Sequence, residues 1–259
     1  MIPKIIHYCW FGGKTIPPEQ QNFINGWKEK CPDWEFRLWN EENFNINNFP
    51  FVAGAYEQKK YAFVSDYVRV WALNKYGGIY LDTDVEIKHS LNDFLNCDAF
   101  SCFETENVAF TSAVWGSIPG HSLTQRMLEY YNNRYYEISE PPNTTTITNI
   151  LMLHYNIDIT KDLNQIGSDS KNTIHIYSSN YFCLDLPANY ATHHFIGSWV
   201  EGENNEPYKK KVHDTYYLNH VMNKDIINKK AVLKGIATLI SFKNLISLFR
   251  YYANYKLKK

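Results

Sequence analysis

Asp66 and Arg69 precede Asp82 and Asp84 in one short stretch, Ser65-Asp66-Tyr67-Val68-Arg69 through Lys75-Tyr76-Gly77-Gly78-Ile79-Tyr80 to Leu81-Asp82-Thr83-Asp84. Two carboxylates two residues apart supply the hard oxygen ligands that Mn²⁺ or Mg²⁺ takes. A cation held there can neutralise the charge that gathers on a departing nucleoside diphosphate without any proton transfer. In an ideal strand Asp82 and Asp84 would project to opposite sides, so both can serve only if the strand ends and the chain turns. Asp84 is expected to touch the metal directly, and Asp82 to share the metal and the ribose.

The flanking elements must aim these groups. The pattern predicts a helix from Phe63 to Tyr76, on which Asp66 and Arg69, three apart, leave one face. An exposed pair of this kind would be worth only about 0.5 kcal/mol. Here the neighbours Ala62, Phe63, Val64, Val68, Val70, Trp71 and Leu73 are apolar, and a buried charge without a role is costly. Gly77-Gly78 ends the helix and permits a turn with positive φ. Ile79-Tyr80-Leu81 then reads as a short buried strand, whose C-terminal end is where open α/β sheets hold ligands. A D-x-D arises about once by chance in a chain this long. The surrounding pattern, not the pair alone, carries the assignment.

The stretch Ser65 to Asp84 resembles the sugar-binding region of glycosyltransferases with a DXD motif, the family 32 group of fungal outer-chain mannosyltransferases and bacterial capsule and lipopolysaccharide transferases. Ile2-Pro3-Lys4-Ile5-Ile6-His7-Tyr8-Cys9-Trp10-Phe11-Gly12-Gly13 is similar to the opening strand of that family and of the large clostridial toxin glucosyltransferases. His193-His194-Phe195-Ile196-Gly197-Ser198-Trp199 is similar to a late loop of the same group. Three ordered matches over roughly the first 200 residues are more specific than any one. The resemblance implies a GT-A fold: one α/β nucleotide-binding domain with a mixed, mainly parallel sheet, to which composition and spacing add a helical C-terminal tail. It implies that Trp10 stacks on the nucleotide base, although residue statistics alone would place this Trp in the core. It further implies that Ser65 and Tyr80 line the donor pocket, and that Asp66 and Arg69 hold the sugar hydroxyls. Ser198 and Trp199 would close over the diphosphate. A late metal or diphosphate ligand would come from His193 or His194; spacing to Trp199 favours the first, and H-F-I-G favours the second. Thr111-Ser112-Ala113 stands where the family often carries an Asn for the donor sugar, so Ser112 lines the pocket and the sugar stays open.

Composition bounds the remainder. A chain of 259 residues with 44% hydrophobic content can bury one large core. A formal net charge of -1 offers no electrostatic case for nucleic acid. Cys9, Cys31, Cys97, Cys102 and Cys183 show no C-x-x-C spacing, which suits a reduced, cytoplasmic setting better than a disulfide framework. Met1-Ile2-Pro3-Lys4 flows straight into the first predicted strand, so no signal peptide is expected, and no apolar run reaches transmembrane length.

Along the chain, Gln20 to Lys30 and Ser122 to Tyr131 read as helices, and a further helix begins between Pro141 and Thr148. Ile2 to Trp10, Trp34 to Trp39, Ala99 to Phe103, Ala109 to Trp115 and Ile174 to Ile176 read as strands. The catalytic domain is expected to cover 1–223. From Lys224 to Lys259 nine Lys and Arg face one acid, Asp225, amid Leu, Ile, Phe and Tyr at helical spacing. This tail either packs on the core or lies on an anionic membrane surface at the inner face of the cell membrane.

The sequence and its resemblance thus point to a metal-dependent enzyme that moves a hexose from a nucleoside-diphosphate sugar, UDP-linked by preference, to a saccharide or lipid-linked glycan acceptor in capsule or lipopolysaccharide synthesis, and the resemblance implies retention of configuration. With no carboxylate marked as a covalent nucleophile, front-face departure is expected, the leaving diphosphate helping to deprotonate the incoming hydroxyl. A nucleotide-sugar hydrolase or phosphotransferase, and a non-catalytic nucleotide-sugar binding protein, are the competing readings.

Overall fold

The computed structural model describes residues 1–104, 108–196, 230, 233, 234, 237 and 241–257. Seven strands form one sheet in the order β2-β1-β3-β6-β5-β8-β7: β1 (Ile5–Cys9), β2 (Glu35–Trp39), β3 (Gly78–Leu81), β5 (Ala99–Cys102), β6 (Val114–Ser117), β7 (Gln165–Ser168) and β8 (Thr173–Tyr177). β4 (Val85–Ile87) and β9 (Ala191–His193) pair separately. β1, β2, β3, β5 and β8 point one way, while β6 and β7 run against their neighbours. The sheet is therefore mixed and largely parallel in strand direction, as the α/β class expected from the sequence requires.

Helices cover both faces. α1 (Pro18–Lys30) buries Ile24 and Trp27 on one side, with Ile6, Tyr8, Ile79 and Leu81. On the other side α2 (Pro50–Glu57), α3 (Tyr61–Tyr76), α4 (Ser122–Tyr131) and α5 (Asn143–His154) bury Phe51, Val68, Leu73, Met127 and Leu151, with Tyr80. Side chains in β3 alternate between these two cores, Ile79 and Leu81 to one and Tyr80 to the other, by the two-residue strand period. β3 is buried throughout because it lies between β1 and β6 and under α3.

The Gly77-Gly78 corner is required by both φ and space. Gly77 has φ +64, and a Cβ there would meet the Pro119 nitrogen at 2.9 Å; Gly78 has φ +106, and a Cβ would lie 2.6 Å from the Ile5 carbonyl oxygen. No other residue enters the strand so directly from the helix without strain.

Several expected bounds shift. The first strand begins at Ile5, not Ile2, since Pro3 has no N–H to give and the Ile2 N–H goes to the Leu95 carbonyl. Ala109 to Ala113 is irregular, its backbone bonded across to Cys102 and Asp82, and only Val114–Ser117 pairs as a strand. The three-residue strands β4 and β9 are too short to announce themselves by alternation. Near the C-terminus α6 (Phe242–Leu257) is helical, capped where the Ser241 Oγ accepts the Asn244 N–H. Among the described residues no helix is long and apolar enough to cross a membrane.

Candidate active site

β3 ends at Leu81, and the next residues turn as the spacing of Asp82 and Asp84 demands. The Asp82 N–H donates to the Ala113 carbonyl, and the Val85 N–H closes a turn on the Asp82 carbonyl at 3.0 Å. Both carboxylates thereby reach one cavity of about 630 Å³, at whose wall Trp10, Ser65, Asp66, Arg69, Tyr80 and Ser112 also stand. Trp10 is half-buried there, its indole N–H bonded to the Lys14 carbonyl.

The late histidine arrives by strand pairing. β4 follows the acids and pairs antiparallel with β9, putting Val85 opposite His193. His193 Nε2 lies 3.4 Å from Asp84 Oδ1. Candidate ligand atoms of Asp82, Asp84 and His193 all lie within 4.8 Å of one another. Chain alternation sends His194 elsewhere: its ring stacks on Phe23 at 4.7 Å and its Nε2 pairs with Glu86 at 3.0 Å. Of the two histidines the sequence offered as ligands, the fold therefore groups only His193 with the acids. Phe195 then takes φ +48, and the Ile196 N–H turns back to donate to Asp84 Oδ2 at 2.9 Å. Positive φ at a bulky aromatic is strained, and such strain persists where surrounding contacts over-determine it; the Phe195 ring lies 3.9 Å from that of His193.

Arg69 ties the acids together. Its guanidinium reaches Asp66 at 3.1 Å and Asp82 at 3.2 Å, donates to the carbonyls of Ser112 and Ser65, and lies over the Tyr80 ring. With its side chain only 5% exposed, the fork is engaged by protein groups while also lining the cavity. The Tyr80 hydroxyl donates to Asp82 Oδ1 at 2.9 Å, orienting that carboxylate from the sheet side. Ser112 contributes through its carbonyl to Arg69 as well as lining the cavity.

The electrostatics distinguish the acids. Burial raises Asp66 to about 7, against the pull of Arg69, with Asp82 adding to the rise. Burial also works against the charged form of Asp84, but His193 and the Ile196 N–H overcome it and hold that carboxyl below its ordinary value. His193 is raised in turn: burial lowers it, and Asp84 outweighs the burial. The carboxylate set suits a hard divalent cation, and the buried His193 Nδ1 has no hydrogen-bond partner among the described residues. Asp82, Asp84 and His193 are thus a fitting donor set for Mn²⁺ or Mg²⁺.

Sequence reasoning missed Glu104, which follows β5 and lines the same cavity. Burial raises its pKa, with His193 opposing and Asp82 adding. Its place just after a strand C-terminus was the available signal. Also missed was Asn143, whose backbone N–H bonds to Asp66 from the start of α5. Ser198 and Trp199, expected to close over the diphosphate, lie outside the described residues.

A family model described as the glycosyltransferase sugar-binding region containing DXD motif matches residues 17–101, from α1 to β5. With the mixed, largely parallel sheet and the paired acids at the end of β3, that match supports a glycosyltransferase. An uncharacterized glycosyltransferase of Acanthamoeba polyphaga mimivirus is 28% identical over 77% of this chain and 84% of its own length. Inositol phosphoceramide mannosyltransferase 1 of Schizosaccharomyces pombe is 27% identical over 52% of this chain and 45% of its own length. A mannosyl phosphorylinositol ceramide synthase of Saccharomyces cerevisiae is 31% identical over 50% and 34%. The chain thus spans less than half the length of these fungal relatives. Among solved structures, the PaToxG glycosyltransferase aligns at 16% identity over 59% of this chain and 70% of that chain, with a TM-score of 0.47.

Proposed function

We propose that the protein transfers a hexose from a nucleoside-diphosphate sugar to a hydroxyl of a glycan or glycolipid acceptor, with retention and with a divalent cation. The observation that carries this reading is the convergence of Asp82, Asp84 and His193 on one cavity beside the buried Asp66–Arg69 pair. When bound, Mn²⁺ or Mg²⁺ supplies charge neutralisation for the departing diphosphate. Arg69 and the Tyr80 hydroxyl hold Asp82 in place, and the Ile196 N–H and His193 hold Asp84. Asp66, kept largely protonated near pH 6 by burial, offers both a donor and an acceptor to sugar hydroxyls. Trp10 and Ser65 line the same cavity, which supports their contact with the donor. The leaving diphosphate itself helps deprotonate the incoming hydroxyl, which fits a front-face path.

The sequence pattern favours a UDP-hexose and an acceptor in capsule or lipopolysaccharide synthesis, whereas the named fungal relatives are mannosyltransferases of inositol phosphoceramide. Both GDP-mannose and UDP-hexoses therefore belong in the donor test. Five unpaired cysteines support a reducing, cytoplasmic compartment.

The test is release of nucleoside diphosphate and formation of glycosylated acceptor, measured across UDP-glucose, UDP-galactose and GDP-mannose with Mn²⁺. EDTA should stop the reaction and Mn²⁺ restore it. Asp84→Asn should lose at least about 10²-fold in turnover with an unchanged melting curve, because the amide brings no charge to the metal. Full activity in Asp84→Asn, or indifference to EDTA, overturns the metal-dependent reading. Sugar release that no acceptor redirects would mark a hydrolase instead.

A further inference from the structure

Helix α6 presents an apolar face to the outside. Phe242, Leu245, Ile246 and Phe249, at i, i+3, i+4 and i+7, share one side. All four are exposed, Phe242 at 77% and Phe249 at 73%, and Leu248 beside them at 55%. Exposed aromatic and aliphatic side chains in a contiguous stripe mark an interaction surface, where single ones would not. Lys243 and Arg250 flank that stripe by the same spacing, with Ser247 beyond them. The Ser247 hydroxyl is turned inward on the helix backbone, donating to the Lys243 carbonyl at 3.1 Å.

Charge selects the occupant. From Ile226 to Lys259 there is no acid, while Lys229, Lys230, Lys234, Lys243, Arg250, Lys256, Lys258 and Lys259 are all basic. A second copy of the helix would bring cations against cations along the seam, a costly arrangement. An anionic bilayer brings the opposite sign and a medium that takes the apolar stripe. α6 does not qualify as a membrane span, so it would lie in the plane of the interface with the Lys243 and Arg250 stems reaching up to the headgroups.

We propose that α6 is a membrane-surface helix that seats the protein on anionic phospholipid. This stands apart from the donor site, because binding to vesicles is read without turnover. The full-length chain is tested by flotation with vesicles of phosphatidylglycerol and phosphatidylcholine, and with phosphatidylcholine alone, at low and high salt. Binding should be at least about tenfold stronger to the anionic vesicles at low salt, and should fall as salt rises. The double variants Lys243→Glu with Arg250→Glu, and Leu248→Asp with Phe249→Asp, should each lose at least about tenfold in vesicle binding. Both should keep the wild-type melting curve, since the side chains are already in water. Absence of flotation, or equal binding to neutral vesicles at every salt, overturns the proposal. So does unfolding of the Leu248→Asp, Phe249→Asp variant, which would place the stripe in a core. Reversible self-association abolished by the same variants would make the occupant a second copy and overturn it too.

Discussion

At the scale of single residues, the decisive groups are those whose charge the fold has altered. Asp66 has an ordinary carboxyl value of 3.8 that burial raises to about 7. Between those values the folded chain holds a proton that the unfolded chain has released, so this group's contribution to stability falls as pH rises through the window. His7 acts in the opposite sense: buried, it is lowered from 6.5 to about 4. Its Nε2–H donates to the Gly77 carbonyl, and its Nδ1 accepts the Trp39 indole N–H at 3.1 Å. Stability from neutral His7 is complete above its unfolded value and is lost as pH falls toward 4. Asp66→Asn removes only the first effect. In the metal-free protein the variant should gain on the wild type as pH rises from 4 to 7 and then level off, by roughly 1–4 kcal/mol. Urea unfolding at a series of pH values measures the difference. A variant that loses ground toward neutral pH would show that Arg69 keeps Asp66 ionised throughout. The D-x-D pair and the i, i+3 spacing of Asp66 with Arg69 were legible as residue types; the turn of the guanidinium toward Asp82 and the Ser112 carbonyl was not, because those partners are remote in sequence.

At the scale of elements, the α3-corner-β3 unit is a local device, and the β4–β9 pair is a long-range one. The first could be read directly. An apolar helix, two glycines and three apolar residues leave few conformations, and the helix is found at Tyr61–Tyr76 with β3 at Gly78–Leu81. The second could not be read, since three-residue strands carry almost no pattern and their partners are a hundred residues apart. Yet this pairing separates two adjacent histidines. His193→Ala should weaken Mn²⁺ binding at least about tenfold, whereas His194→Ala, which loses Phe23 and Glu86, should leave it within about threefold. Titration of free Mn²⁺ followed by electron paramagnetic resonance measures both. Equal losses would mean that the β9 register, and not one ligand, sets the affinity.

At the scale of the whole molecule, helices on both sheet faces bury two apolar clusters, and the cavity opens where β1 and β3 end. Among the described residues, neither cluster includes one of α6. A chain ending at Asn223 should therefore melt within about 3 °C of the 259-residue chain, about the change that ~1 kcal/mol would produce in a domain of this size. Differential scanning calorimetry decides it; a drop of ten degrees or more would make the tail part of the catalytic domain. The sequence by itself determined the α/β class, the helix-corner-strand unit and the carboxylates at its end, because helical spacing, glycine conformation and strand length act over a few residues. Only the tertiary structure decided that His193 and not His194 joins Asp82 and Asp84, that Arg69 braces the acids, and that Glu104 enters the cavity. Those outcomes depend on strand register and on side chains from separate segments meeting in a low-dielectric interior, where a partner's position and not its identity sets the charge.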